Sequence, residues 1–298
     1  MKKWMLALLS IVLSCGVGFA AAGCGGKDAM VDSITVITRE DGSGTRGAFI
    51  ELTGVEQQDG EGNKVDKTIK SAEIASSTSV MITNVKNNPS AVGYISLGSL
   101  NDSVKAVPFE GVEASVANIK NGTYTLSRPF NIAFKEDNDN ATLADFLNYV
   151  KSAEAAEIID SNGYIAPETA QTYVKPASAP TQTLVINGSS SVYPLMQILV
   201  QEYCKASGAA TSTVSLQFND STSGMTGAMN GTYDIGMASR DLKEGESAVL
   251  TSYVLATDGI AVIVNKLNPI ANVTKEQICN IYTGSVTKWS EIGVDVNK

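Results

Sequence analysis

LVINGSSSVYP, Leu184–Pro194, is the stretch from which the chain is best read. Leu184 to Asn187 is a short apolar run of strand type, Ser189-Ser190-Ser191 follows it, and Pro194 suits the first turn of a helix. A strand that passes through small hydroxyl residues straight into a helix sets those hydroxyls beside unpaired N–H groups and a partial charge of about +0.5. Such a turn attracts anions. The design recurs twice: Val214 to Phe218 leads through Ser221-Thr222-Ser223-Gly224, and a strand ending at Thr38 leads through Ser43-Gly44-Thr45. Ser and Thr are also ordinary N-caps, which need no ligand, so one such loop alone says little. Three of them can surround one oxyanion, the hydroxyls turning toward it and glycine letting the backbone come close. Arg39, just upstream of the third loop, either offers its planar fork to an oxyanion or pairs at the strand end with Glu40 or Asp41.

Strand and helix signals alternate along the rest of the chain. Alternation around Ile34 and Val36, and AVGYISL at Ala91–Leu97, predict strands. Thr142–Ile159 predicts a helix, with Thr142 and Asp145 spaced as a capping box and Gly163 as its stop. Ile260–Val264 reads as a fully buried strand, and Thr274 with Gln277 caps a short helix ending at Gly284. The pattern is α/β. Between the two patterned segments, Ala166–Thr183 (APETAQTYVKPASAPTQT) is rich in Pro, Ala, Thr and Ser and reads as a linker.

At the start, Lys2 and Lys3, the apolar stretch Trp4–Leu13 and small residues up to Cys24 predict a secretory signal peptide over residues 1–23. The stretch is shorter than the ~20 residues a membrane span needs. Ala21-Ala22-Gly23 before Cys24 resembles the lipobox of bacterial lipoproteins, which implies lipidation of Cys24 and a tether over 24–32 holding the protein to the membrane. Losing Lys2 and Lys3 takes the formal charge from −9 to −11, which argues against a nucleic-acid partner. The chain has no histidine, so histidine-based triads and the commonest zinc ligand are excluded. Cys204 and Cys279 have no metal-ligand spacing and read as ordinary thiols; no metal or cofactor is expected. GSGTRG (Gly42–Gly47) lacks the ending of a P-loop. SVTK (Ser285–Lys288) matches the Ser-x-x-Lys of penicillin-recognising enzymes in spacing alone and reads as a surface turn.

INGSSSVYPL (186–195), NDSTSGMTGAMNGTYDIGMASRDL (219–242), ATDGIAVIVNKLNP (256–269) and IYTGSVTKWSEIG (281–293) resemble, in that order, the first half of the phosphate-binding proteins of bacterial phosphate ABC importers. TREDGSGTRGAF (38–49), AVGYISL, NGTYTLSRPF (121–130) and the region ending at GYI (163–165) resemble the second half, so the halves stand in swapped order. The resemblance implies an α/β, two-lobed periplasmic-binding-protein-like fold of type II; its swapped order reads as circularly permuted, the competing readings being a fragment of a duplicated gene or a chain that exchanges halves with a second copy. One lobe would be continuous, residues 96–260 including the linker 166–183, and the other built from both ends, 33–95 plus 261–298. It further implies an exported lipoprotein on the outer face of the cell membrane, with no catalytic step. Such a protein takes phosphate, or another oxyanion such as sulfate, molybdate or tungstate, and delivers it to an ABC permease complex. The other class of reading is a surface or sensor protein that keeps the fold; hinge closure around a ligand separates the two. By resemblance, Arg39, Ser43, Gly44, Thr45, Ser190, Ser191 and Ser221 contact the anion and Asp41 orients Arg39. Ser239 stands where the family often has an aspartate that accepts a proton from phosphate, and a serine there widens the expected selectivity.

Overall fold

The computed structural model describes residues 29–296. The signal peptide expected at 1–23 and the lipidation site Cys24 lie outside the described residues. In chain order the elements are β1 (Thr35–Arg39), α1 (Gly44–Thr53), β2 (Glu56–Gln58), β3 (Lys64–Asp66), β4 (Glu73–Ala75), α2 (Thr78–Asn87) and β5 (Ala91–Ser96). There follow β6 (Lys105–Val107), α3 (Val116–Lys120), β7 (Ser127–Phe134), α4 (Ala141–Val150), α5 (Ala153–Ser161), β8 (Leu184–Gly188) and α6 (Tyr193–Ser207). The last are β9 (Val214–Leu216), α7 (Ser221–Met229), β10 (Ile235–Ala238), α8 (Glu244–Ser247), β11 (Thr251–Val264) and α9 (Lys275–Thr283).

Two α/β halves share one curled sheet, ordered β4-β1-β5-β11-β7-β10-β8-β9 with β6 on β11. In one half β1 lies parallel between β4 and β5; in the other β8 lies parallel between β10 and β9. The strand that joins them is β11. Its first part, Thr251–Gly259, pairs antiparallel with β7, and its last part, Ile260–Val264, pairs antiparallel with β5. The buried run read from the sequence is thus the second portion of a longer strand that passes from one half to the other. Its residues Ile260, Ala261 and Ile263 have no exposed surface, as an apolar run covered on both faces requires.

Each half has its own core. Phe130, Phe146, Leu195, Tyr203 and Leu255 belong to one, and Phe49, Tyr94, Ile278, Tyr282 and Trp289 to the other. The second core also takes Val107, Phe109, Tyr124 and Leu126, and β6 pairs with the end of β11. The lobe boundary expected at residue 96 therefore falls too early. Residues 96–126 pack with the chain ends because their apolar side chains have that core to bury in, and the continuous lobe begins at β7.

Two further expectations change. The helix expected over 142–159 is two helices, α4 and α5, because Ser152 breaks it and caps α5 by accepting from Ala155 N at 3.3 Å. Asn140, accepting from Thr142 N, caps α4 in place of Thr142. Asp145 is released from capping and accepts from Tyr173 Oη and Tyr203 Oη, both at 2.9 Å. Tyr173 lies in the expected linker, which is fastened to its lobe rather than free: Ala153 N donates to Gln171 O at 2.7 Å and Thr142 Oγ1 to Gln182 O at 2.8 Å. The first and last described segments adjoin, with Ile34 N donating to Thr287 O and Trp289 N to Asp32 O, each at 2.8 Å. Among the described residues no helix is long and apolar enough to cross a membrane, and Cys204 and Cys279 are free thiols.

Candidate anion-binding site

Four helix starts meet between the halves, those of α1 and α2 from one side and those of α6 and α7 from the other. Ordinary capping is done by residues just outside the meeting point. Ser43 caps α1 by accepting from Arg46 N, Ser77 caps α2 by accepting from Val80 N, and Asp220 caps α7 by accepting from Ser223 N. The next hydroxyls along, Thr45, Thr78 and Ser221, are therefore free to face the opposite half. At α6 no side chain caps; Pro194 opens the first turn and Ser190 and Ser191 precede it.

These hydroxyls form one buried cluster. Thr45 Oγ1 lies 2.8 Å from Ser191 Oγ and 3.2 Å from Ser239 Oγ, and Ser191 Oγ lies 3.1 Å from Thr78 Oγ1. Ser189 Oγ donates to Ser239 Oγ at 3.0 Å. Ser221 Oγ accepts from Gly44 N at 3.2 Å and from Ser239 N at 3.1 Å, tying the start of α1 to the other half. Gly44 allows the halves to approach this closely: a Cβ there would stand 2.5 Å from Ser221 Oγ and 2.9 Å from Ser239 Oγ. Thr45, Ser221 and Ser239 have no exposed surface. Hydroxyls that satisfy one another in this way avoid the ~1–3 kcal/mol penalty of an unpaired buried polar group, and they can turn the same donors onto anion oxygens.

Two arginines flank the cluster. Arg39, 1% exposed at the end of β1, donates from Nη2 to Ser190 Oγ at 2.9 Å and from Nη1 to Thr78 Oγ1 at 3.3 Å. Glu40 holds it from behind, accepting from Nε and Nη2 at 2.7 Å each. Asp41, expected to orient Arg39, does not: its side chain is 97% exposed and pairs with Arg46 at 2.6 Å. Asp41 lies in the turn that follows β1, outside the strand, and there its side chain meets Arg46 and solvent instead of Arg39. Ser43 likewise stays outside the cluster as a cap. The second arginine, Arg128 on β7, pairs with Asp258 on β11 at 2.9 Å and donates from Nε to Ser239 O at 3.0 Å and from Nη2 to Thr45 Oγ1 at 2.9 Å. Burial pushes the Asp258 carboxyl up, and the Arg128 charge beside it is the main opposing influence.

Of the residues singled out from sequence, Arg39, Gly44, Thr45, Ser190, Ser191, Ser221 and Ser239 come together. Thr78, Arg128 and the carboxylate of Asp258 were missed; Ser189 was named in its loop but not as a site residue, and Glu40 only as an alternative partner of Arg39 at the strand end. Thr78 was legible: EIASSTSV (Glu73–Val80) is a fourth strand, hydroxyl loop and helix start. Arg128 carried no such signal. Ser285 and Lys288 are both exposed beyond α9, in agreement with a surface turn.

The family described as PBP superfamily domain matches residues 31–154 and 174–298. Phosphate-binding protein PstS 2 of Streptococcus agalactiae serotype V is 44% identical over 294 residues, which span 98% of this chain and 99% of that protein. The chain belongs to the phosphate-binding proteins of the PBP superfamily. Among these phosphate-binding proteins, PstS 2 of Streptococcus pneumoniae serotype 4 is 38% identical over 295 residues, 97% of this chain and 99% of its own. A solved phosphate-binding protein of a phosphate ABC transporter, from Streptococcus pneumoniae TIGR4, is 38% identical with a TM-score of 0.67, covering 87% of this chain and 99% of that one. Because the PstS 2 alignments run end to end, those relatives carry their halves in the same order as this chain. They are named as binding proteins, not enzymes.

Proposed function

We propose that this chain captures phosphate, or an oxyanion of the same shape, between its two halves and delivers it to the membrane permease of an ABC importer. The observation that carries the reading is the convergence of four helix starts and Arg39 on one buried hydroxyl cluster shared by both halves. Helix starts, hydroxyls and a guanidinium are all donors, and a tetrahedral oxyanion is the ligand that needs donors from several directions at once. The anion contacts in this reading are Arg39, the Gly44 N–H, Thr45, Thr78, Ser190, Ser191, Ser221 and Ser239. Since both halves supply contacts, the anion favours the closed arrangement of the hinge. Relatives of high identity named as phosphate-binding proteins support phosphate as the ligand.

Export through residues 1–23 and lipidation at Cys24 complete the reading, setting the protein outside the cell membrane and beside its permease. The swapped order of the halves is read as a circular permutation, supported by the adjoining ends at Asp32 and Trp289.

Isothermal titration of residues 29–298 with phosphate and with sulfate tests this. One-to-one phosphate binding is expected, and Arg39→Ala should weaken it at least about tenfold, or ~1.4 kcal/mol. Unchanged affinity would remove Arg39 from the site, and no heat with either anion would reject the function.

A further inference from the structure

We propose that Arg128 is a second arginine in contact with the bound anion, and that it makes the site select the doubly ionised form of that anion. The inference rests on the anion-binding reading above and names the charge state that the site takes.

Arg128 borders the cluster at Thr45. Its Nη2 donates to Thr45 Oγ1, and that oxygen also meets Ser191 Oγ and Ser239 Oγ. From the other side Arg39 reaches Thr78 Oγ1, which touches Ser191 Oγ. The two guanidinium groups thus face each other across Thr78, Ser191 and Thr45, near enough for the Arg39 charge to press on Arg128. Two buried like charges about one small ligand repel, and an anion between them relieves the repulsion.

The carboxylates are turned the other way. Glu40 is occupied by Arg39, and Asp258 by Arg128 Nη1 and the Gly98 N–H. The remaining charged groups around the cluster are also engaged outside it. Arg46 pairs with Asp41 and Asp66, Arg240 with Glu246, and Asp220 accepts from Ser223. Tyr164 is near enough to Arg128 to feel its charge, and burial pushes the ionisation of its hydroxyl well up. None of the cluster's hydrogen bonds ends on a carboxylate, so its side-chain acceptors are hydroxyls. A proton on the anion must then be accepted by a hydroxyl that no longer turns its own hydrogen onto the anion. Each proton carried in removes a donor contact, and the form with fewest protons keeps the most.

The absence of histidine makes the test clean, because no side chain of ordinary pKa titrates between about pH 6 and 8. Residues 29–298 are titrated with phosphate and with sulfate at about pH 6 and about pH 8, at fixed ionic strength. Total phosphate should bind roughly tenfold tighter at the higher pH, following its second ionisation, while sulfate, doubly charged throughout, should change less than about twofold. In Arg128→Gln combined with Asp258→Asn, which removes both charges and strands neither, phosphate affinity at the higher pH should fall at least about tenfold and the pH dependence should shrink to what Arg39 and the hydroxyls alone impose. Phosphate binding of equal strength at the two pH values would overturn the proposal and leave the anion-binding reading intact. Wild-type affinity and pH dependence in the double variant would also overturn it. Failure of both anions to bind at either pH would instead remove the anion-binding reading itself. The wild-type series stands alone should the double variant not fold.

Discussion

Gly44 shows how one residue decides whether two halves can meet. Its backbone is helical, so alanine suits its conformation, yet the added methyl would collide with Ser221 Oγ and Ser239 Oγ across the cleft. Gly44→Ala should therefore leave thermal stability nearly unchanged while weakening phosphate binding at least about tenfold, on the proposal that the anion is held with the halves closed. Calorimetric titration beside a melting curve checks both, and unaltered affinity would mean that the halves bind without this close approach. The neighbouring carboxylates show the same sensitivity to a single position. Asp41 sits beside Arg46 in water, whereas Glu40 forms the fork against Arg39, and only the direction of each side chain distinguishes them.

At the scale of elements, the site depends on caps that free other residues. Asp220 accepts from both the N–H and the hydroxyl of Ser223, and so leaves Ser221 to reach across to Gly44. Asp220→Ala should cost about 1 kcal/mol in a urea titration, as the loss of an N-cap does, and Asp220→Asn should recover most of it. A loss of similar size in both variants would mean that Asp220 acts by charge rather than as a cap. The split between α4 and α5 has the same origin, a serine whose side chain bonds the backbone and starts a new helix. Periodicity carries through such a break because the apolar face continues, which is why one long helix was expected there.

For the whole molecule, β11 is the element shared by both halves, pairing with β7 along one part and with β5 along the other. The two ends of the described residues lie together at Asp32 and Trp289, whereas the segment 166–183 crosses the surface of a single lobe. If the order is a permutation, joining residue 296 to residue 33 through a few added residues and opening the chain between Ser178 and Ala179 should keep the fold. The cut falls among exposed residues, where new ends are tolerated. The product should be soluble, with an unchanged circular dichroism spectrum and phosphate affinity within about threefold of the parent. An insoluble chain, or one that no longer binds, would count against the permuted reading.

Local chemistry was enough to read the α/β class and the hydroxyl-bearing helix starts at Ser43, Ser190 and Ser221, and it suggested the anion site proposed above, because a helix start has the same unpaired donors wherever it folds. The motifs around Arg39 and Ser239 carried the family for the same reason: their residues are neighbours in the chain. Only the tertiary structure decided what depends on residues far apart. It assigned 96–126 to the lobe of the chain ends, since buried area is a property of the packed core and not of a segment. It also set Glu40 rather than Asp41 behind Arg39, and joined Arg128 of β7, Asp258 of β11 and Thr45 of α1 in one buried group. A buried arginine in a strand leaves no mark on local pattern, because the carboxylate that compensates its charge comes from another strand.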